Sequence, residues 1–185
     1  MAEWFEEAGD HTETTIDIVA ERLERGGIAH VVVATTSGAT GARFAEALQD
    51  RDAEVVCVTH HVGFKGGDEN QLEPKHAEAI RAAGGKILTA SHALSGVARS
   101  VSSSFGGTSA VEMIAHTLRL FGQGTKVCVE IAVMAADAGL IPTGRDVICV
   151  GGTGRGADTA VVLRPAHANA FFETRIRETL CRPIA

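Results

Sequence analysis

Apolar residues first recur at helical spacing through Ile16, Val19, Ala20 and Leu23, behind a Thr14-Thr15-Ile16-Asp17 start and ahead of Gly26-Gly27. A hydroxyl residue with an acid three positions on, an apolar stripe and a glycine stop predict one helix. Val31-Val32-Val33-Ala34 lacks polar alternation, as a strand covered on both faces requires. Ala42, Ala45 and Leu48 predict a second helix, and Glu54–Thr59, with Val55, Val56 and Val58, a second strand. Glu73–Ala83 predicts a third helix, stopped by Gly84-Gly85, and Lys86–Ala90 a third strand. Val111, Ile114, Ala115 and Leu118 place a helix over Thr108–Phe121. Val127, Ile131, Met134, Ala135 and Ala138 place another over Lys126–Gly139. Asp146–Val150 and Thr159–Leu163 are the remaining strands. Ser91–Gly107 is Ser- and Gly-rich and receives no assignment. Phe171–Cys181 reads either as a terminal helix through Phe172, Ile176 and Leu180 or as an extended edge segment.

Strands alternating with helices predict a three-layer α/β/α domain on a mostly parallel sheet. The Gly151–Asp158 connection is too short for a parallel crossover, so the last predicted strand runs antiparallel. Pro165 at its end predicts an edge position. The 185 residues fit one domain over 1–185, with 1–12 expected as a loosely ordered N-terminal segment.

Charge then narrows the partners. Seventeen basic against 23 acidic residues give a net charge of −6, which argues against nucleic acid or an anionic membrane as partner. No apolar run approaches the ~20 residues of a membrane span, and Met1–Asp10 is acidic without a signal-like pattern, so the expected location is cytoplasmic. Cys57, Cys128, Cys149 and Cys181 show no paired spacing. Cys57 and Cys149 lie in apolar strand-like runs and are expected as buried thiols.

Two loops carry the candidate chemistry. Thr35-Thr36-Ser37-Gly38-Ala39-Thr40-Gly41 lies between a buried strand and a helix start, where N–H groups and hydroxyls converge at the positive end of a helix dipole. That arrangement suits a phosphate; the plainer reading is that Ser37 or Thr40 caps the helix. No Gly-Lys-Ser/Thr follows, so it is not a Walker loop. In Gly151-Gly152-Thr153-Gly154-Arg155-Gly156-Ala157-Asp158-Thr159 the glycines permit a nest of N–H donors and Arg155 offers a planar fork for phosphate. Its plainer reading is a glycine-rich hairpin with Arg155 in solvent. A strand-like segment follows it, so it is not a dinucleotide fingerprint. His60, His61 and His92 follow the second and third strands and are candidate acid–base groups, His61 and His92 the candidate catalytic ones. No metal-ligand spacing is present, and no metal is expected. Glu130 and Asp137 share a helix face, and such charges are more often solvated or capping than a catalytic pair.

Leu118–Glu130, Met134–Gly139, Thr59–Phe64, Thr89–Gly96 and Gly151–Thr159 together resemble a family of stand-alone prokaryotic proteins similar to the carboxyl-terminal α/β domain of pyruvate kinase. The resemblance spans nearly the whole chain. It implies a five-stranded mixed sheet of order 3-2-1-4-5 with the last strand antiparallel, and a sugar-bisphosphate site in the kinase domain itself, whose Thr/Ser-rich loop Thr36–Thr40 resembles. It does not reach the barrel that carries pyruvate kinase catalysis, so kinase activity is not implied. Arg155 and Asp158 belong to the stand-alone pattern and point to a different ligand.

The expectation is therefore a small phosphorylated ligand, flavin mononucleotide (FMN) or a sugar phosphate, held by Thr35, Thr36, Ser37, Gly38, Ala39, Thr40, His60, His61, Gly152, Thr153, Gly154, Arg155, Gly156, Asp158 and Thr159. Two alternatives stand beside it: an enzyme acting on a small phosphometabolite with a histidine base, and an assembly protein with structural glycine loops. A homo-oligomer is expected because the apolar helices exceed what one sheet covers.

Overall fold

The computed structural model describes residues 2–184. Its strands are β1 (Glu3–Phe5), β2 (His30–Ala34), β3 (Glu54–Thr59), β4 (Lys86–Thr89), β5 (Val147–Gly151), β6 (Thr159–Arg164) and β7 (Arg175–Pro183). Its helices are α1 (Thr12–Glu24), α2 (Ala39–Leu48), α3 (Pro74–Ala82), α4 (Gly96–Phe105), α5 (Ala110–Arg119) and α6 (Gln123–Asp137), with a 3-10 segment at Ala168–Glu173. The strands form one sheet in the order β1-β7-β6-β5-β2-β3-β4.

Alternation along each strand sorts the core into two layers. Val31, Val33, Val55, Cys57, Ile148 and Val150 meet Ile16, Val19, Phe44, Leu48 and Ile80 on one face. Val32, Val56, Val58, Val147, Cys149 and Val161 meet Cys128, Ile131, Ala132 and Ala135 of α6 on the other. β2 is buried on both sides, which is why its sequence shows no polar alternation. All four cysteines are buried; burial pushes the Cys57 thiol up to about 12 and that of Cys181 to about 11, so neither is a thiolate near neutrality.

Five strands, β4-β3-β2-β5-β6, reproduce the expected 3-2-1-4-5 order, with β5 and β6 antiparallel. The sheet differs from the five-stranded expectation by two further strands. β7 pairs antiparallel with β6, and β1 pairs parallel with β7. Pro165 therefore marks no edge: it follows β6, which ends at Arg164 and lies inside the sheet. The C-terminal segment is extended from Arg175 on, with Leu180 and Cys181 packed into the core and Arg175–Arg177 exposed. It is not an edge: β7 lies between β6 and β1, and Phe171–Glu173 belong to the 3-10 segment.

The N-terminal segment is likewise not loose. Glu3–Phe5 pair with Cys181–Pro183, the Arg182 guanidinium lies 4.7 Å from the Trp4 ring centroid, and Phe5 stacks on His11 at 4.1 Å. Ser91–Gly107 contains α4, which the sequence did not reveal. None of its residues is buried, so it carries no inward-facing stripe, and Val97 and Phe105 are 80% and 85% exposed. No helix is long and apolar enough to cross a membrane among the described residues.

Candidate functional site

The chain leaves β2 and β5 side by side at the point where strand order reverses, since β2 is followed by β3 on one flank and has β5 on the other. Open α/β sheets form a crevice at the carboxyl ends of such strands. Here that crevice is a cavity of about 450 Å³, within the range of small-ligand sites.

Thr35, Thr36, Ser37, Ala39 and Thr40 form one wall. The loop is shaped by its own hydroxyls: Gly41 N donates to Thr35 Oγ1 at 3.3 Å and Ala39 N to Ser37 Oγ at 3.4 Å. The N–H groups of Ser37, Gly38 and Thr40 have no acceptor among the described residues, and they stand at the positive end of α2. Arg43, one turn into α2, lines the same cavity.

The facing wall is Gly152, Gly154, Arg155 and Gly156. Thr153 N donates to Asp158 Oδ2 at 3.0 Å, Arg155 N to Thr153 O at 3.2 Å and Ala157 N to Thr12 Oγ1 at 3.0 Å. The N–H groups of the intervening Gly154 and Gly156 remain without an acceptor among the described residues. Gly156 has φ +74°, and a Cβ there would lie 2.3 Å from Asp10 Oδ1, so the position takes glycine only.

The floor is Val58, Thr59, His60 and His92 on one side and Gln123, Val127, Glu130 and Ile131 of α6 on the other. His60 stacks on Phe64 at 3.9 Å, and its ring centroid lies 5.2 Å from that of His92. Gln71 Oε1 sits 2.9 Å from His60 Nδ1; with that nitrogen protonated, Nε2 keeps its lone pair. His61 joins the ring cluster, 5.7 Å from His92, but its Nδ1 turns to Val62 O and it does not line the cavity.

Burial holds the His92 imidazole down at about 4, against the opposing pull of Glu130. Its folded value lies below the unfolded one, near 6.5, so the unfolded chain binds the proton first as pH falls. Stability is thus expected to decline as pH drops from about 6.5 towards 4. Chemical denaturation across that window, with His92→Gln giving a flatter profile, checks it.

Of the residues singled out in sequence, Thr35, Thr36, Ser37, Ala39, Thr40, His60, His92, Gly152, Gly154, Arg155 and Gly156 meet on this cavity. Gly38, His61, Thr153, Asp158 and Thr159 do not line it. Gly38 lies under the Leu72 and His76 side chains, and Asp158 and Thr159 are buried behind the glycine loop. Glu130 departs from its expected solvated role. It is buried, pairs with Lys126 and accepts from Leu94 N at 2.8 Å. Arg43 and Asp10 are additions. Arg43 was detectable, since a helix side chain leans back over the preceding turn and this one reaches the N-terminus of α2. Nothing in sequence spacing connects Asp10 to Gly156.

Fold and site together define a doubly wound α/β domain with a polar crevice at the reversal point of a mixed sheet. The profile of the family described as pyruvate kinase, alpha/beta domain, matches residues 13–163, and the chain belongs to that family. Among solved structures it is similar to a pyruvate kinase from Cryptosporidium parvum, with 15% identity and a TM-score of 0.44 over 84% of this chain and 23% of that one. It is also similar to the Cryptosporidium parvum pyruvate kinase in complex with ADP, with 15% identity and a TM-score of 0.40 over 90% and 23%. The chain thus spans 23% of the length of each of these kinases.

Proposed function

We propose that this cavity binds a small phosphorylated molecule, with its phosphate between the N-terminus of α2 and the Gly152–Gly156 loop. One observation supports the reading: residues of two loops far apart in sequence, Ser37 and Thr40 with Gly154 and Gly156, carry N–H groups without acceptors among the described residues and line one crevice with Arg155. Oriented backbone donors and a guanidinium suit a phosphoryl dianion because their charge and geometry are in place before it arrives. FMN and a sugar phosphate are the two ligands proposed. Val58, Val127 and Ile131 offer apolar contact to a ring system, and Thr59 and Gln123 offer partners to hydroxyls.

Mass spectrometry of the small molecule released on denaturing the purified protein identifies the class directly. Arg155→Ala is expected to weaken binding of that molecule by about 1–3 kcal/mol, a roughly five- to 150-fold rise in Kd by calorimetry. An unchanged Kd removes Arg155 from the site.

A second reading is turnover of a phosphometabolite with a histidine base. It is supported by the position of His60 and His92 on the cavity floor, with His92 kept neutral. A bell-shaped pH–rate profile that His92→Ala or His60→Ala abolishes would carry it; broad metabolite screens without turnover would leave binding alone.

A further inference from the structure

We infer that Asp10 limits the cavity to one phosphoryl group, so that it accepts phosphate monoesters and turns away bisphosphates and diphosphates. The inference rests on the phosphate reading above and adds what selects among phosphates.

Asp10 belongs to neither phosphate loop. It lies on the strap between β1 and α1 and reaches the cavity beside Arg43, Arg155 and Gly156. The strap is fixed on both sides: Gly9 N donates to Asp158 Oδ2 at 3.4 Å and His11 N to Ala157 O at 3.0 Å. Within it, Asp10 Oδ1 accepts from Thr12 N at 3.2 Å and from Thr12 Oγ1 at 2.5 Å. The carboxylate therefore cannot swing away to admit a ligand without breaking these bonds. The Thr12 hydroxyl, and then Arg43 and Arg155, also keep it ionised.

The charges on the wall set the capacity. Its cations are Arg43 and Arg155, and its carboxylates Asp10 and Glu130. Arg43 is already engaged, with Nε 2.9 Å from Glu13 Oε1 and Nη1 3.7 Å from Asp10 Oδ1. Arg155 makes no ion pair within 4.0 Å among the described residues, which leaves it the one uncommitted cation. Glu130 is neutralised by Lys126, so the far end offers no positive charge either. A single phosphoryl group is met by Arg155 and the loop N–H groups. A second would lie against Asp10 or beside Glu130 with no free cation to meet it. A fixed like charge is an effective way to reject the wrong ligand.

Calorimetric titration of the intact protein with inorganic phosphate and with pyrophosphate tests this, because pyrophosphate carries the second phosphoryl group that phosphate lacks, and the Asp10 variants separate its charge from its size. Phosphate is expected to bind the wild type at least about ten-fold more tightly than pyrophosphate, and Asp10→Asn and Asp10→Ala to shrink that ratio about ten-fold, mainly through tighter pyrophosphate. A purely structural role for Asp10 would weaken both anions by one factor and leave the ratio unchanged. That result, or tighter pyrophosphate binding by the wild type, overturns the inference while the phosphate reading stands. Failure of the wild type to bind either anion overturns both.

Discussion

Asp158→Ala is expected to destabilise the protein by about 3 kcal/mol and to weaken phosphate binding at least ten-fold, although the side chain touches no part of the cavity. Asp158 is fully buried. Its Oδ1 accepts from Thr159 Oγ1 at 2.7 Å, and its Oδ2 from Thr153 N at 3.0 Å and Gly9 N at 3.4 Å. One carboxylate thus joins the start of the glycine loop, its end and the N-terminal strap. Removing it strands two backbone donors and one hydroxyl. Each buried donor left unmade costs about 1–3 kcal/mol, offset in part because a buried charge without a cationic partner is itself unfavourable. The stranded loop loses the geometry that keeps Gly154 and Gly156 on the cavity wall. Urea unfolding and phosphate calorimetry on one preparation read both effects; a loss under about 1 kcal/mol would mean that water replaces the carboxylate.

The second large effect is Gly124→Ala, in the first turn of α6. Helix propensity alone predicts a gain of about 1 kcal/mol. Packing predicts the opposite. A Cβ there would stand 2.0 Å from Thr159 Oγ1 and 2.4 Å from Thr159 Cβ. Rotation about χ1 moves the hydroxyl but not Cβ, and Thr159 is buried in β6, so α6 must lift from the sheet. Overpacking of this kind costs about 1–3 kcal/mol and more where backbone has to move, so the net loss is expected near 3 kcal/mol. The shift would also displace Gln123 and Val127 from the cavity floor. Gly144→Ala is the control, because its Cβ would meet nothing within 4 Å. Thermal unfolding that ranks Gly124→Ala equal to Gly144→Ala would refute the packing argument.

The neutral His92 and the roles proposed for Arg155 and Asp10 all depend on long-range placement, and this separates what was legible from what was not. The two candidate loops could be read directly, because glycines and hydroxyl residues occupy consecutive positions in each, the first ahead of a helix start and the second between two strands. Asp158 was visible as part of the second loop, but its place behind the wall was not, since the carboxylate is enclosed by bonds to Thr153, Thr159 and the distant Gly9. α4 went unassigned for another reason: Val97, Val101 and Phe105 do repeat at helical spacing, but this short stripe sits in a Ser- and Gly-rich stretch and stays uncovered in the fold.

By itself the sequence determined the α/β class, the central order of strands through its resemblance, the antiparallel turn between β5 and β6, and the two loops with chemistry in them. These follow from local periodicity, from glycine and hydroxyl placement, and from the reach of a short connection. The tertiary structure alone decided that β7 and β1 extend the sheet past Pro165, that Glu130 is buried against Lys126 and that Asp10 meets Gly156. Each of these joins residues far apart in the chain or depends on which face of an element is covered. Local pattern fixes which residues lie on an element; only packing of the whole chain fixes what stands opposite them.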